Sequence, residues 1–193
     1  MSQNDKNGAL KILRIAFSLT MICVCVALAV SLSYALTRDK IEKKRIATER
    51  AAIAAVFGRD DIGYRALEGT PDDVTAVFEV TDADGNVFGY AVSVSPSGFG
   101  GNIDMIVGIG TDGKITGGKI TGVNITALSE TPGLGSRVND ANYLSQYNGT
   151  GGKLALGSDI DAISGATISS RSVLAGVNRA LAAVDTMGLV TAD

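Results

Sequence analysis

The sequence predicts an α+β protein in which one N-terminal transmembrane helix is followed by an antiparallel sheet packed with helices. Three observations lead to this fold class. Residues 15–37 carry no charge, residues 74–126 contain β-branched segments joined by Asp-Gly turns, and residues 173–184 repeat apolar side chains with helical spacing. A length of 193 residues suits one domain of ordinary size with an appendage.

The uncharged run at residues 15–37 reads IAFSLTMICVCVALAVSLSYALT. As a helix it would be about 34 Å long, which is enough to span the hydrocarbon core of a bilayer. A cleaved signal peptide and a buried core helix are the alternatives, but the run is long for the apolar part of a signal peptide. We therefore expect a retained transmembrane helix at 15–37, preceded by a cytoplasmic tail at 1–14.

The charges around this helix do not by themselves support an orientation with the N-terminal tail in the cytoplasm and the following domain outside it. Three basic residues precede the run, and five follow it at Arg38, Lys40, Lys43, Lys44 and Arg45. By the positive-inside rule, this count alone would place the following domain in the cytoplasm. The extracytoplasmic orientation instead depends on the family resemblance described below.

A helical stalk is predicted to follow the membrane segment, at residues 38–58. Ile46, Ile53 and Phe57 recur on one face of it, with charged residues elsewhere, and Gly58 ends it. Residues 59–193 then form the extramembrane domain.

Two strand–turn–strand units open that domain. The first covers residues 74–95 and turns at Asp84-Gly85, and the second covers residues 103–126 and turns at Asp112-Gly113. Glycine supplies the positive φ that tight hairpins need, and the flanking β-branched runs are typical of strands. We therefore expect an antiparallel sheet of four or more strands.

The segments after the sheet are predicted to be mostly helical. A turn-rich loop at 130–135 precedes a short helix at about 140–147, and a short strand is expected near 153–156. A C-terminal helix is expected from about Ser169, because one apolar stripe recurs with helical periodicity. The stripe consists of Val173, Leu174, Val177, Leu181 and Val184.

Composition excludes several kinds of chemistry. The chain has no His, and its two cysteines, Cys23 and Cys25, both lie in the apolar run. Ser-His-Asp hydrolysis, Cys-His catalysis, His-ligated metals and Fe–S clusters are therefore not expected in the domain, and we assign no catalytic or metal-binding residue. From Ala66 onward there are 6 basic and 14 acidic residues, which argues against nucleic acid as a partner.

The most informative segment is residues 161–170, DAISGATISS. It is a loop of small residues that leads into a helix N-terminus, where free N–H groups and the helix dipole favour a bound phosphate. The alternative is an ordinary helix cap, in which Ser169 or Ser170 accepts hydrogen bonds from the first-turn amides.

The pattern D-x-x-S-G-A-T-x-S in this segment resembles the flavinylation motif of the FMN-binding domain family. That family includes the G subunit of the Rnf complex and the C subunit of the sodium-translocating NADH:quinone reductase. The resemblance implies that Thr167 carries FMN through a phosphoester bond. It also implies that a flavin transferase reads Asp161, and that the cofactor site includes Ser164, Gly165, Ala166 and Ser169.

Two further segments agree with this resemblance. Residues 129–135, SETPGLG, are similar to the family's E-T-P-G-L-G loop, and residues 98–101, GFGG, are similar to its G-Y-G-G segment before a strand. Phe99 replaces the usual Tyr, so its phenol is missing, and the His that often precedes the loop is missing as well. Considered alone, each feature has an ordinary interpretation. Glu130 would be a surface carboxylate, Pro132-Gly133 would be a turn, and Gly98 to Gly101 would be a bulge.

The loop is the predicted platform for the flavin ring. Leu134 would present an apolar face, Thr131 and backbone N–H groups would bond the polar edge of the ring, and Gly133 and Gly135 would let the main chain approach. We expect Glu130 to bond backbone amides or to face a partner. If the loop is only a turn, the ring would rest on Phe99.

The resemblance implies an electron-relay subunit, with covalently bound FMN, in a membrane-bound ion-translocating ferredoxin:NAD oxidoreductase of the Rnf type. The chain would be one flavin-carrying subunit of a redox-driven ion translocase, without independent catalysis. Its partners would be the other membrane subunits, a flavin transferase during maturation and membrane lipid. It would cross the inner cell membrane once, with its C-terminal domain outside the cytoplasm, where a dissociated FMN would be lost.

Two alternatives stay open at this point. The first is the flavinylated subunit of a sodium-translocating NADH:quinone reductase, although the short length favours the Rnf type. The second, from another class, is a membrane-anchored structural or adhesive protein of the pilin kind. The Glu that pilins carry early in the apolar run is absent from residues 15–37.

Overall fold

The computed structural model describes residues 3–111 and 118–190. The chain divides into two compact units, residues 1–47 and residues 48–193. A single helix, α1, runs from Gln3 to Phe57 and contains both the predicted membrane span and the predicted stalk. It ends before Gly58, whose φ of 62° stops the helix as expected.

The first unit consists of the N-terminal part of α1. Within it, the stretch Arg14–Leu32 has a mean hydropathy of 2.5 and is long and apolar enough to cross a membrane. The side chains of this stretch are exposed, and Phe17, for example, is 72% exposed. A core helix would bury such side chains. Cys23 and Cys25 are free thiols on this exposed surface.

The second unit is built on a five-stranded antiparallel sheet whose spatial order, β1-β2-β3-β4-β5, is the order of the chain. The strands are β1 (Gly63–Ala66), β2 (Ala76–Thr81), β3 (Val87–Val94), β4 (Ile103–Gly110) and β5 (Lys119–Leu128). This confirms the antiparallel sheet of four or more strands. The short edge strand β1 was not predicted, because four residues with only one half-buried side chain carry no alternating pattern.

The first predicted hairpin turn is present. Asp82 accepts hydrogen bonds from the amides of Asp84 and Asn86, at 3.0 and 2.8 Å, and Gly85 has a φ of 84°. The second predicted turn, at Asp112-Gly113, lies outside the described residues.

The helices after the sheet are short except for the last. Gly135–Asn139 and Ser145–Tyr147 are 3₁₀ turns, α2 is Ala141–Leu144, and α3 is Thr167–Thr186. The predicted helix at 140–147 therefore consists of α2 and one 3₁₀ turn. Helix α3 begins two residues before the predicted start, and it packs on β3 and β4. Of the predicted stripe, Val173, Leu174, Val177 and Val184 are buried, and Leu181 is half-buried.

The strand predicted near 153–156 is wrong. The backbone of Leu154 pairs with a side-chain amide rather than with another strand: Asn178 accepts from its N–H and donates to its carbonyl, both at 2.9 Å. Only an isolated bridge between Leu156 and Ile160 is present beside it. Because Asn178 on α3 satisfies this backbone, no neighbouring strand is needed.

The other face of the sheet is covered by the end of α1. Ala52, Ile53 and Val56 are buried there, whereas Ile46, predicted on the same face, lies in the first unit and is 49% exposed. The helix approaches a groove of glycines on three adjacent strands, Gly89, Gly108 and Gly122. A Cβ on Gly122 would lie 2.8 Å from the carbonyl oxygen of Val56, so the approach requires glycine at this position.

Candidate functional site

Three segments that are far apart in the sequence meet at one cavity of about 260 Å³ in the second unit. They are residue 99 from the loop before β4, residues 130–135 from the loop after β5, and residues 165–169 at the start of α3. The lining residues are Phe99, Glu130, Thr131, Leu134, Gly135, Gly165, Ala166, Thr167, Ile168 and Ser169. The structure thus brings nine of the twelve sequence-predicted site residues together, and it leaves Asp161, Ser164 and Gly133 outside the lining.

Thr167 is the first residue of α3, and its side chain is exposed. The preceding residue, Ala166, is buried and makes no side-chain cap. The alternative of an ordinary serine cap is therefore wrong, since Ser170 Oγ instead accepts a hydrogen bond from the amide of Ile163 at 3.1 Å. The first-turn amides and the positive end of the helix dipole are left facing the surroundings of Thr167.

Glu130 joins the two glycine-containing loops. Its side chain is only 8% exposed, and Oε1 accepts hydrogen bonds from the amides of Phe99 at 2.7 Å and Gly100 at 3.5 Å. The expectation that Glu130 bonds backbone amides is confirmed. The carboxylate fits only because its neighbours lack side chains: a Cβ on Gly98 would overlap Oε1, and a Cβ on Gly135 would lie 2.5 Å from Oε2.

The loop after β5 is a compact turn. The carbonyl oxygen of Thr131 accepts from the amides of Leu134 and Ser136, at 3.2 and 3.1 Å, and the amide of Gly133 donates to Ser136 Oγ at 2.9 Å. Gly133 has a φ of 75°, which L side chains rarely adopt. Gly133 therefore shapes the turn that presents Leu134 and does not itself line the cavity.

Exposed apolar side chains surround the cavity. Phe99 is 69% exposed, Ile168 54% and Leu134 45%, and Val87 is the only other exposed large hydrophobic residue in the described part of the second unit. Leu134 approaches the motif loop closely, since a Cβ on Gly165 would lie 2.9 Å from its Cδ1. Sequence reasoning missed Ile168, whose exposure follows from its place as the second residue of α3.

The small helices behind the site hold both ends of the motif. Gln146 Oε1 accepts a hydrogen bond of 2.8 Å from the amide of Asp161, and the Tyr143 hydroxyl donates to the carbonyl oxygen of Ser170 at 3.2 Å. The hydroxyls of Tyr143 and Tyr147 are 3.1 Å apart. Burial raises the pKa of both tyrosines above its ordinary value. These three residues were not identified from the sequence, and the spacing of the tyrosines, four residues apart on a short helix, was the available signal.

A larger cavity of about 390 Å³ lies between β4 and α3. Its lining is mainly apolar, with residues such as Ile109, Leu181 and Val184, and it contains none of the motif residues. Size alone would favour this cavity, but the smaller one holds the helix N-terminus, the carboxylate and the exposed threonine. The chemistry therefore points to the smaller cavity.

Comparison with known proteins assigns the fold and the family. The profile of the FMN-binding domain matches residues 98–182, a range that contains all three motif segments. The G subunit of the ion-translocating oxidoreductase complex of Shewanella amazonensis is 30% identical to the chain over an alignment of 193 positions, which covers 88% of this chain and 86% of that protein. The G subunit of the Na+-translocating ferredoxin:NAD+ oxidoreductase complex of Acetobacterium woodii is 28% identical, with 88% and 90% covered.

Solved structures share the fold at lower identity. The C subunit of the Na+-translocating NADH–quinone reductase of Parabacteroides distasonis superposes with a TM-score of 0.56 at 17% identity, over 77% of this chain and 95% of that one. NqrC of Shewanella oneidensis gives a TM-score of 0.54 at 18% identity, with 80% and 97% covered. These similarities confirm the α+β fold that the sequence predicts.

Proposed function

The chain belongs to the FMN-binding domain family, among the G subunits of ion-translocating oxidoreductase complexes, and on that premise we propose that it is an electron-relay subunit that carries FMN covalently on Thr167. The complex would be a membrane-bound ferredoxin:NAD oxidoreductase of the Rnf type. One observation supports this more than any other. The exposed hydroxyl of Thr167 lies at the uncapped N-terminus of α3, in the cavity where the three motif segments meet.

The residues around the cavity fit FMN. The uncapped first turn of α3 suits a phosphate ester, and the exposed side chains of Phe99, Leu134 and Ile168 suit a flat apolar ring. A cavity of about 260 Å³ is smaller than the roughly 300–1,000 Å³ that enclose most ligands of this size. Part of the cofactor would therefore remain at the surface, as exchange of electrons with another protein of the complex requires.

When bound, FMN supplies one- and two-electron chemistry that this chain's own side chains lack. The described residues would bind and orient it: Thr167 would hold the phosphate, and Leu134 and Ile168 would flank the ring. Glu130 fixes the two loops against each other. Because the sequence contains no His, and no Cys outside the N-terminal helix, we assign no independent catalysis to the chain.

Attachment would require a flavin transferase that uses FAD. An ester bond would form between Thr167 Oγ and the phosphorus of the FMN moiety, and the pyrophosphate bond of FAD would break. AMP would leave, and the hydroxyl proton would pass to a base on the transferase. Asp161 and Ser164 are exposed beside the acceptor threonine, which suits recognition by such an enzyme.

The proposed location is a single pass through the cell membrane, with the domain outside the cytoplasm. Arg14–Leu32 supplies the span by length and composition, and the other membrane subunits and lipid would be its partners. Covalent attachment itself favours a location outside the cytoplasm, because FMN that dissociated there would be lost and a covalent bond prevents that loss. This orientation opposes the count of basic residues around the helix.

Two other functions are less well supported. The solved structures named as C subunits of NADH–quinone reductases share the fold at 17% and 18% identity, whereas the relatives named as G subunits are 28% and 30% identical over most of this chain. The structural or adhesive alternative predicts a colourless protein and gives no reason for the cavity at Thr167.

The test is to express the full chain together with a flavin transferase and to measure its intact mass and its in-gel flavin fluorescence after denaturation. We expect a mass increase of one FMN, loss of that increase in Thr167→Val, and its retention in Thr167→Ser, which keeps a hydroxyl. Fluorescence that persists in Thr167→Val would place the attachment elsewhere, with Ser164 or Ser169 next. A wild-type chain without flavin, beside an active transferase, would contradict the proposal.

A further inference from the structure

One buried polar atom in the site has no hydrogen-bond partner. Glu130 Oε2 is the only buried side-chain nitrogen or oxygen without a hydrogen-bond partner among the residues that the structure describes. Buried carboxylate oxygens are normally satisfied, and an exception in a folded protein calls for a physical explanation. The other oxygen of the same group is fully engaged, since Oε1 accepts from the amide of Phe99 at 2.7 Å.

The position of this atom is fixed by the surrounding backbone. Gly98 lies against Oε1 and Gly135 lies against Oε2, each without a side chain, so the carboxylate is confined between two loops. A Cβ on Gly135 would also lie 2.9 Å from Ser169 Oγ, so the free oxygen and this hydroxyl border the same glycine. Glu130, Gly135 and Ser169 all line the cavity that contains Thr167.

A carboxylate oxygen can only accept a hydrogen bond, so the missing partner must be a donor. FMN offers two kinds of donor, the hydroxyls of the ribityl chain and the ring N–H. Glu130 is buried, whereas the apolar side chains that suit the ring are exposed at the rim. The ribityl chain also follows directly after the phosphate, which the proposed function attaches to Thr167.

We propose that Glu130 Oε2 is the hydrogen-bond acceptor for a ribityl hydroxyl of the FMN carried on Thr167. This inference rests on the proposed function and assigns a binding role within the same site. The protein without FMN then keeps an unpaired carboxylate oxygen, and attachment of the cofactor satisfies it. Loading should therefore stabilise the fold by more than a surface modification would.

The test is a double-mutant cycle between Glu130→Gln and the presence of FMN, with detergent-solubilised full-length protein and thermal unfolding as the readout. Gln keeps the Oε1 acceptor for the amide of Phe99 and replaces the unpaired carboxylate oxygen with a neutral amide nitrogen. Thr167→Val provides a background to which FMN cannot be attached. Glu68→Gln, at an exposed carboxylate, controls for removal of one negative charge.

In the Thr167→Val background we expect Glu130→Gln to raise the unfolding temperature by about 2–4 °C, because an unpaired buried carboxylate oxygen disappears. In the loaded protein the same substitution should lower the unfolding temperature, and it should reduce the fluorescence anisotropy of the flavin. Glu68→Gln should shift neither. If Glu130 only ties the loops together, its substitution would lower or leave unchanged both temperatures, and the inference would be wrong.

The midpoint potential of the flavin distinguishes a ribityl hydroxyl from the ring N–H as the donor to Glu130. A hydrogen bond to the ribityl chain leaves the potential of Glu130→Gln within about 30 mV of wild type, a tenfold change in a two-electron equilibrium. A larger shift would assign the acceptor to the ring and overturn the ribityl assignment. Failure of the proposed function is distinguishable from failure of this inference, since the former would show no FMN in the mass of the wild-type chain.

Discussion

The side-chain oxygen of Gln146 accepts a hydrogen bond of 2.8 Å from the backbone amide of Asp161. At the other end of the same segment, Tyr143 donates to the carbonyl oxygen of Ser170. The short helical segment 141–147 therefore holds both ends of the loop that carries Thr167. The acceptor threonine and its neighbours Ser164 and Ile168 stay exposed, as a substrate loop for another enzyme must be.

Replacement of Gln146 should slow the loading of Thr167. Gln146→Leu removes the acceptor for the Asp161 amide, a hydrogen bond worth about 1 kcal/mol, so we expect flavin transfer from FAD to slow by up to roughly tenfold. The measurement is the rate of mass increase with purified transferase, at several concentrations of the acceptor protein. Gln146→Glu keeps an acceptor and should restore most of the rate. Equal rates in all three proteins would show that this bond has no role in presentation.

Gly133→Val should leave attachment intact but change the properties of the flavin. The residue has a φ of 75°, and a Cβ added to it would meet no atom within 4 Å, so the cost comes from backbone strain and not from a clash. Strain in this turn would displace Leu134, and we expect a shifted midpoint potential and slower electron transfer. Gly69→Val is the matched control, because Gly69 has a φ of 76° and equally open surroundings in another loop. If both variants kept the wild-type potential, the loop would be only a turn.

The contact between the end of α1 and the sheet can be tested by a pair of glycine substitutions. A Cβ on Gly108 would lie 2.5 Å from Thr121 Oγ1 and 2.8 Å from Val56 Cγ2, both side-chain atoms, whereas a Cβ on Gly122 would meet the backbone of Val56. Both alanine variants should lose about 1–3 kcal/mol of unfolding free energy. Val56→Ala removes Cγ2, so it should partly rescue Gly108→Ala and fail to rescue Gly122→Ala. Urea unfolding of the single and double variants measures this, and equal rescue of both would refute the assigned contacts.

The buried tyrosine pair predicts an alkaline limit to stability. Burial raises the folded-state pKa of both Tyr143 and Tyr147 above the ordinary value of 10.0, so the folded state retains protons that the unfolded state releases. Their contribution to stability is present in full below pH 10 and is lost as the pH rises beyond it, with a slope of about 1.4 kcal/mol per pH unit for each tyrosine. Urea midpoints between pH 9 and 11 should show this fall. Tyr147→Phe should remove about half of it, and an unchanged slope would contradict the assignment.

The orientation in the membrane has a direct test. Protease added to sealed spheroplasts should cleave the chain beyond Arg38, because the proposed function places the domain outside the cytoplasm. A cytoplasmic protein of the same cells serves as the control for sealing. Protection of the domain until lysis would show instead that the basic residues after the helix determine the orientation.

The local elements were largely predictable from the sequence because their signals are local. The end of α1 at Gly58, the Asp84-Gly85 turn and the amphipathic stripe of α3 each follow from residues within a few positions of one another. One prediction and one alternative failed for the opposite reason. The predicted strand near residues 153–156 is replaced by a pairing between Leu154 and Asn178, and the alternative of a serine cap is ruled out because Ser170 accepts a hydrogen bond from Ile163 instead.

The sequence by itself determined the membrane-spanning stretch, the antiparallel hairpins and the three motifs with their family resemblance, because these depend on composition and short-range spacing. Only the tertiary structure placed Phe99, Glu130 and Thr167 around one cavity, since sheet pairing and helix packing bring together residues up to 68 positions apart. It alone also left Oε2 of Glu130 without a partner. Whether a buried carboxylate is satisfied depends on every atom packed around it, and no periodicity along the chain records that environment.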